Sequence, residues 1–248
     1  MQTINDVVNA LDGIVQRSYD NASRIGYFAA LYRRVTCVVR DGITAGTFDD
    51  NALMEQLDVV CASRYLDALA SFQSTGNATR SWMVAFQGCE DADLLILQQL
   101  LAGMNAHINL DLGIAAAQVS PGRQLALLKP DFDQINAVLA SMVATVAAEI
   151  AVVSPLIGDL ETIGLRSATP VINFDVVTAR DAAWFAAQRL NAQPAILHDI
   201  TVDALDLAVS IEGRAILYPP DDCRKCLIPI QQAESTDVRM VIETLSQA

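Results

Sequence analysis

The sequence predicts an all-α protein, a single compact bundle of seven or eight helices around a buried central helix. Three observations predict it. Apolar residues recur at three- and four-residue spacing along most of the chain. Alternating strand patterns are almost absent. The connectors are short and carry Gly, Pro and Asp. At 248 residues the chain is long enough to bury one large core, so residues 1–248 are read as one helical domain, with Pro155 marking a candidate subdivision near residue 154.

Each element has its own signal. Residues 3–17 form a short amphipathic segment. In 21–40, Ile25, Phe28, Tyr32 and Val35 stand at helical spacing, and Gly42 and Gly46 end the run. The loop "DGITAGTFDD" leads to a helix over 51–74, closed by Gly76, and "TRSWMVAFQG" gives a short helix after it. Residues 91–118 form the central helix. "SPGRQ" and "KPD" read as breakers, after which Asp131 or its predecessor caps a helix to about Val153. Residues 168–177 are β-rich in composition and read as an extended entry to a helix over 178–191. Helices over about 201–212 and 234–246 complete the set, with "LYPPDDCRKCLIP" as a loop between them.

Composition excludes several classes. A net charge of -13 argues against a nucleic-acid or anionic-membrane partner. Hydrophobic residues make up 52% of the chain and mean hydropathy is +0.32, so a membrane span has to be considered. The best candidate, "AVLASMVATVAAEIAVV" at 137–153, is alanine-rich and contains Glu149. It falls short of the roughly 20 strongly apolar residues a span needs, and reads as a buried helix. The N-terminal stretch lacks the basic and apolar regions of a secretory signal. Cys37, Cys61 and Cys89 lie in or near helical patterns, as reduced thiols do in a cytoplasmic protein. Cys223 and Cys226, in "CRKC", read as adjacent surface thiols, or more sharply as a labile disulfide.

The central helix raises the functional question. At about 100° per residue, His107 and Asp111 share a face with Leu100, Met104, Ile114 and Gln118. Asn105 and Asn109 form an opposed polar row. Between the rows lie a small side containing Gly103 and Gly113 and a large apolar side containing Leu101, Ile108 and Leu112. Glycine costs a helix interior about 1 kcal/mol, so these glycines point to close packing. In 51–74, Asp58 and Tyr65 fall on the core stripe Met54, Asp58, Ala62, Tyr65, Leu69, with Arg64 on its flank. The expectation is that Asp58, Tyr65, His107 and Asp111 converge between helices. Asn136 and the pair Arg180 and Trp184 are further polar or aromatic positions on apolar stripes.

A His–Asp pair at this spacing suits general acid–base work, because the carboxylate fixes the imidazole tautomer and raises its basicity. The same pair also fits a polar core network that fixes helix register. A metal centre from His107, Asp111 and Asp58, with Glu149, is a third reading, but the chain has two histidines and no Glu-x-x-His or His-Glu-x-x-His motif. No nucleophile elbow, P-loop or dinucleotide glycine pattern occurs.

The blocks "FAALYRRVT", "FDDNALMEQLDVVCASRYLDAL", "WMVAF", "LLAGMNAHINLDLGIAA" and "ARDAAWFAAQRL" together resemble a family of bacterial proteins grouped as a domain of unknown function. The resemblance spans most of the chain and implies an all-helical fold. It implies that Asp58, Arg64, Tyr65, His107, Asn109, Asp111 and Trp184 are recurrent polar and aromatic positions, and it implies no particular reaction.

The resulting expectation is a cytoplasmic enzyme acting on a small, largely apolar molecule without metal or cofactor, with a homo-oligomer left open. His107, Asp111 and Asp58 carry the chemistry, and Tyr65, Arg64, Met104, Trp184 and Arg180 bind substrate. Cyclase, isomerase, lyase and hydrolase chemistries fit. A metal-dependent hydrolase or oxygenase and a non-catalytic ligand-binding protein are the alternatives.

Overall fold

The structure, a computed structural model, describes residues 2–122, 124–159 and 174–247. Among these residues it is all-α, with ten helices when the central one is counted once: α1 (Ile4–Asp20), α2 (Ile25–Thr44), α3 (Asn51–Thr75), α4 (Arg80–Gly88), α5 (Ile96–Val119), α6 (Gln124–Val153), α7 (Val176–Ala192), α8 (His198–Leu217), α9 (Asp221–Ala233) and α10 (Val238–Ser246). The stretch expected to be extended from 168 lies, up to 173, outside the described residues.

Local chemistry places the ends. Thr3 and Asp6 form a reciprocal capping box on α1. The Asp50 side chain caps α3, and Gly76 closes it at φ 72°, the left-handed conformation glycine adopts most easily. The helix count exceeds seven or eight partly because "PPDDCRKCLIP" is helical. Pro220 occupies its N-cap, and Asp221 and Asp222 in the first turn complement the helix dipole. Likewise α6 begins before "KPD" and runs through Pro130. Next to Pro130, the buried carboxylate of Asp131 accepts from the backbone N–H groups of Asp49 and Asp50 at 2.7 and 2.8 Å and ties α6 to the start of α3.

Helix α5 is the axis. It packs against α2, α3, α4, α7 and α8. Its two glycines serve close approach, as their cost in a helix suggested. A Cβ on Gly103 would stand 2.6 Å from the Phe28 ring, and one on Gly113 2.5 Å from the Ala183 carbonyl oxygen. Asn105 donates to the Val209 carbonyl and Asn109 to the Asn105 side chain, both at 2.9 Å. This polar row ties α5 to α8.

α5 is not uniform. Residues Ala106–Leu112 are a π-helical stretch between α-helical halves Ile96–Asn105 and Gly113–Val119. Bonding from i to i+5 widens the turn and re-aims the side chains on it. His107 and Asp111 both lie in it.

α6 departs from the expected buried helix at 137–153. Its first half packs Leu125, Leu128, Phe132 and Ile135 with α3, α5 and α7. Its end packs Ile150 and Val153 with α2 and α10. Between them one face is open, with Val143 61% exposed. Among the described residues α6 is the one helix long and apolar enough to cross a membrane, with mean hydropathy 1.9 over an 18-residue window of which 11% is buried. An alanine-rich composition fixes the helix but not which neighbours cover it. A buried ion pair between Arg34 and Glu149 and the bond from Ser154 Oγ to Glu234 Oε1 at 2.7 Å fasten its C-terminal end. Glu149 is thereby committed to Arg34.

Candidate functional site

α6 lies like a strap over α2, α3 and α5, and a cleft of about 530 Å³ opens beneath it. Its walls are mostly apolar: Leu31, Val35, Leu97, Leu100, Leu101, Met104, Met142, Val146 and Ile150 among others. The polar exceptions are Tyr32, Asp58, Cys61, His107, Asn136, Asp175 and Arg180.

Tyr32, Asp58 and His107 come from three helices, α2, α3 and α5. The Tyr32 and His107 rings are 4.3 Å apart between centroids. The Cys61 thiol stands 3.8 Å from both imidazole nitrogens. Asp58 Oδ2 and the Tyr32 hydroxyl are sealed from solvent and have no hydrogen-bond partner. Such orphaned groups are rare in native cores. Burial, reinforced by Glu55, pushes the Asp58 carboxyl up to about 7. Burial and the positive charge of Arg180 push His107 down to about 3, so its imidazole is neutral at physiological pH. Burial, then the neighbouring Asp58, drives the Tyr32 phenol well above its usual range. The Cys61 thiol is raised by burial, then by Asp111 and Asp58.

Asp111 is engaged elsewhere. Its Oδ1 accepts from Arg64 Nε at 2.8 Å and its Oδ2 from Trp82 Nε1 at 2.7 Å. The expected His107–Asp111 hydrogen bond is therefore not made. The regular wheel that paired them does not apply across the π-helical stretch, and the indole of α4 supplies the partner that His107 was expected to be. Burial holds the Asp111 carboxyl up, at about 6, against the opposing pull of Arg64 and Trp82. This network lies behind the cleft and joins α3, α4 and α5.

Of the expected site residues, His107, Asp58, Met104 and Arg180 line the cleft; Asp111, Arg64, Tyr65 and Trp184 do not. Tyr65 packs its ring on Trp82 and Phe28, 4.9 and 5.3 Å between centroids, and its hydroxyl is an orphan. Trp184 packs against Phe132 with ring centroids 5.0 Å apart and planes tilted by 52°, and Lys129 Nζ is 5.4 Å from its ring centroid. Sequence reasoning treated Tyr32 and Cys61 only as helix-core positions. Their signal was the one that marked Asp58 and Tyr65, a polar atom on an apolar stripe. Among the described residues no three His, Cys, Asp or Glu side chains cluster to hold a metal ion. With Asp111 held by Arg64 and Trp82 and Glu149 held by Arg34, the ligand set considered for a metal is not assembled.

The sequence pattern of a family described as a family of unknown function (DUF5995) matches residues 4–219, which carry every cleft-lining residue. The chain belongs to that family. No curated protein and no solved structure matches it. In this member of DUF5995 the matched region ends just after α8, and α9 and α10 follow it.

Proposed function

We propose that the protein is an enzyme that binds a largely apolar molecule under α6 and moves a proton on it with Asp58. The observation that carries this reading is the orphaned carboxyl oxygen of Asp58 on the wall of an apolar cleft. A carboxyl raised to about 7 is matched to general acid–base work near neutral pH. Neutral His107 offers one ring donor and one ring acceptor, and the Tyr32 hydroxyl a further donor, for a polar group on the ligand. His107 thus orients rather than acts as the base. An isomerisation that moves a proton from one carbon to another needs only such a transfer, with the same carboxyl removing and returning the proton.

The test starts from the molecule retained by the native protein, identified by mass spectrometry and offered back as substrate. Wild type is expected to convert it, with a pH–rate limb near 7. Asp58→Asn is expected to bind it and leave it unchanged. Full turnover by Asp58→Asn would overturn the proposal. The apolar walls also support a second reading, a binding protein that returns its ligand intact, and unchanged ligand after incubation with wild type would favour it.

A further inference from the structure

We infer that the cleft takes a long-chain amphiphile whose head is a carboxylate held by Arg180 and whose tail runs along the inner face of α6; this rests on the apolar-ligand reading above and names the ligand's class.

Among the residues that line the cleft, Arg180 is the one Lys or Arg. Arg180 is 5% exposed. Its Nε donates to Asn136 Oδ1 at 2.6 Å, and its Nη2 donates to the Phe132 carbonyl. Both partners are uncharged. No carboxylate among the described residues stands within ion-pair distance of it. Asp133 and Asp181 act on it only from farther off, and Asp133 is taken by Lys129. Asp175 also lines the cleft, but its side chain caps Thr178. A buried guanidinium without a counter-charge is costly, and it cannot shed its proton to escape the cost. An anion arriving through the cleft would supply the missing charge at Nη1, which makes no bond to a described residue.

The rest of the cleft indicates what that anion is attached to. Arg180 meets α6 at Phe132 and Asn136, and the far end of the cleft is at Ile150, against Leu31 and Leu100. From Ile135 to Ile150 there are fifteen helical rises, roughly 22 Å of helix. That length suits an extended chain of a dozen or more carbons. Beyond Asn136, α6 presents only apolar side chains to the cleft. One free guanidinium nitrogen suits a singly charged carboxylate. A phosphate dianion needs more cations than the cleft contains.

The test measures binding of hexadecanoic acid, hexadecanol, hexadecyl phosphate and octanoic acid to the full chain by calorimetry below their aggregation concentrations. Hexadecanoic acid is expected to bind about tenfold or more tighter than the alcohol, the scale of a hydrogen bond to a charged group. It is expected to bind tighter than octanoic acid by more than that. Arg180→Gln is expected to bring acid and alcohol to within about twofold of each other, and Arg180→Lys to restore part of the preference. Melting temperature checks the fold of each variant, and the wild-type acid-to-alcohol ratio decides even if a variant fails to fold. Equal binding of acid and alcohol overturns the carboxylate head while the apolar-ligand reading stands. Tighter binding of the phosphate overturns the choice of carboxylate. Binding of none of the four overturns this inference and removes the support for an apolar ligand as well.

Discussion

Replacing Asp58 by asparagine should stabilise the protein, and by an amount that depends on pH. In the fold the Asp58 carboxyl is raised to about 7 from its ordinary 3.8, chiefly by burial. The folded state therefore holds the proton more tightly than the unfolded chain does. The sign follows: wild-type stability falls as pH rises from about 4 to about 7, because the native site must then bury an unpaired carboxylate. One pKa unit is about 1.4 kcal/mol. Between pH 5 and pH 8 the carboxyl crosses about two units of that interval, so wild type loses up to about 3 kcal/mol that the variant keeps. For a chain of this size that is a difference of about 6–12 °C in melting temperature. The asparagine amide adds an offset, but it does not titrate, and the other raised carboxyl, Asp111, is common to both proteins and cancels. The assay is urea unfolding of wild type and Asp58→Asn at pH 5, 6, 7 and 8. A stability difference that stays constant across this series, or that moves against Asp58→Asn as pH rises, would refute an Asp58 carboxyl with a sealed, unpartnered oxygen.

Three further outcomes follow from the packing. Trp82→Phe leaves Asp111 Oδ2 without its donor in a site 1% exposed, and is expected to cost about 1–3 kcal/mol by urea unfolding. Gly113→Ala should destabilise by about 1–3 kcal/mol despite alanine's higher helix propensity, because the new methyl meets the Ala183 carbonyl oxygen at 2.5 Å; a gain in melting temperature would contradict this contact. Arg34→Met strands the Glu149 carboxylate where side-chain exposure is 14%, with an expected loss of about 3–5 kcal/mol that Arg34→Met combined with Glu149→Leu should largely recover.

The helical fold was legible because helix periodicity is a local property, written into each segment without reference to its neighbours. Gly103, Gly113, Asn105 and Asn109 were readable for a related reason: a residue that costs a helix something must be repaid in tertiary contact, and these are. The site was only half legible. Asp58 and His107 announce themselves as polar atoms on apolar stripes, but the direction in which His107 and Asp111 point depends on the π-helical stretch, which no residue type in "AHINLDL" dictates. The partner of Asp111 is an indole on α4, and a contact between elements distant in sequence leaves no periodic trace. For α6 the same apolar pattern fits a helix covered on all sides and one left open on one, and the packing of α2 and α10 at its end decides between them. "CRKC" was misplaced because the two prolines before it were weighed as loop formers rather than as the start of a helix.

The fastening of α6 has a consequence for how this chain divides its labour along its length. Asp58, His107, Arg180 and both walls of the cleft lie within the matched residues 4–219. Several groups that tie down the far end of the strap come after them: Glu234 on Ser154, Ser235 on the Val153 carbonyl, and the Leu245 carbonyl that receives Arg34. Part of the clasp, beyond the Arg34–Glu149 pair, is thus written after the stretch that forms the vessel. Changes in the last two helices bear on the seating of the α6 end while leaving every cleft-lining side chain as it is.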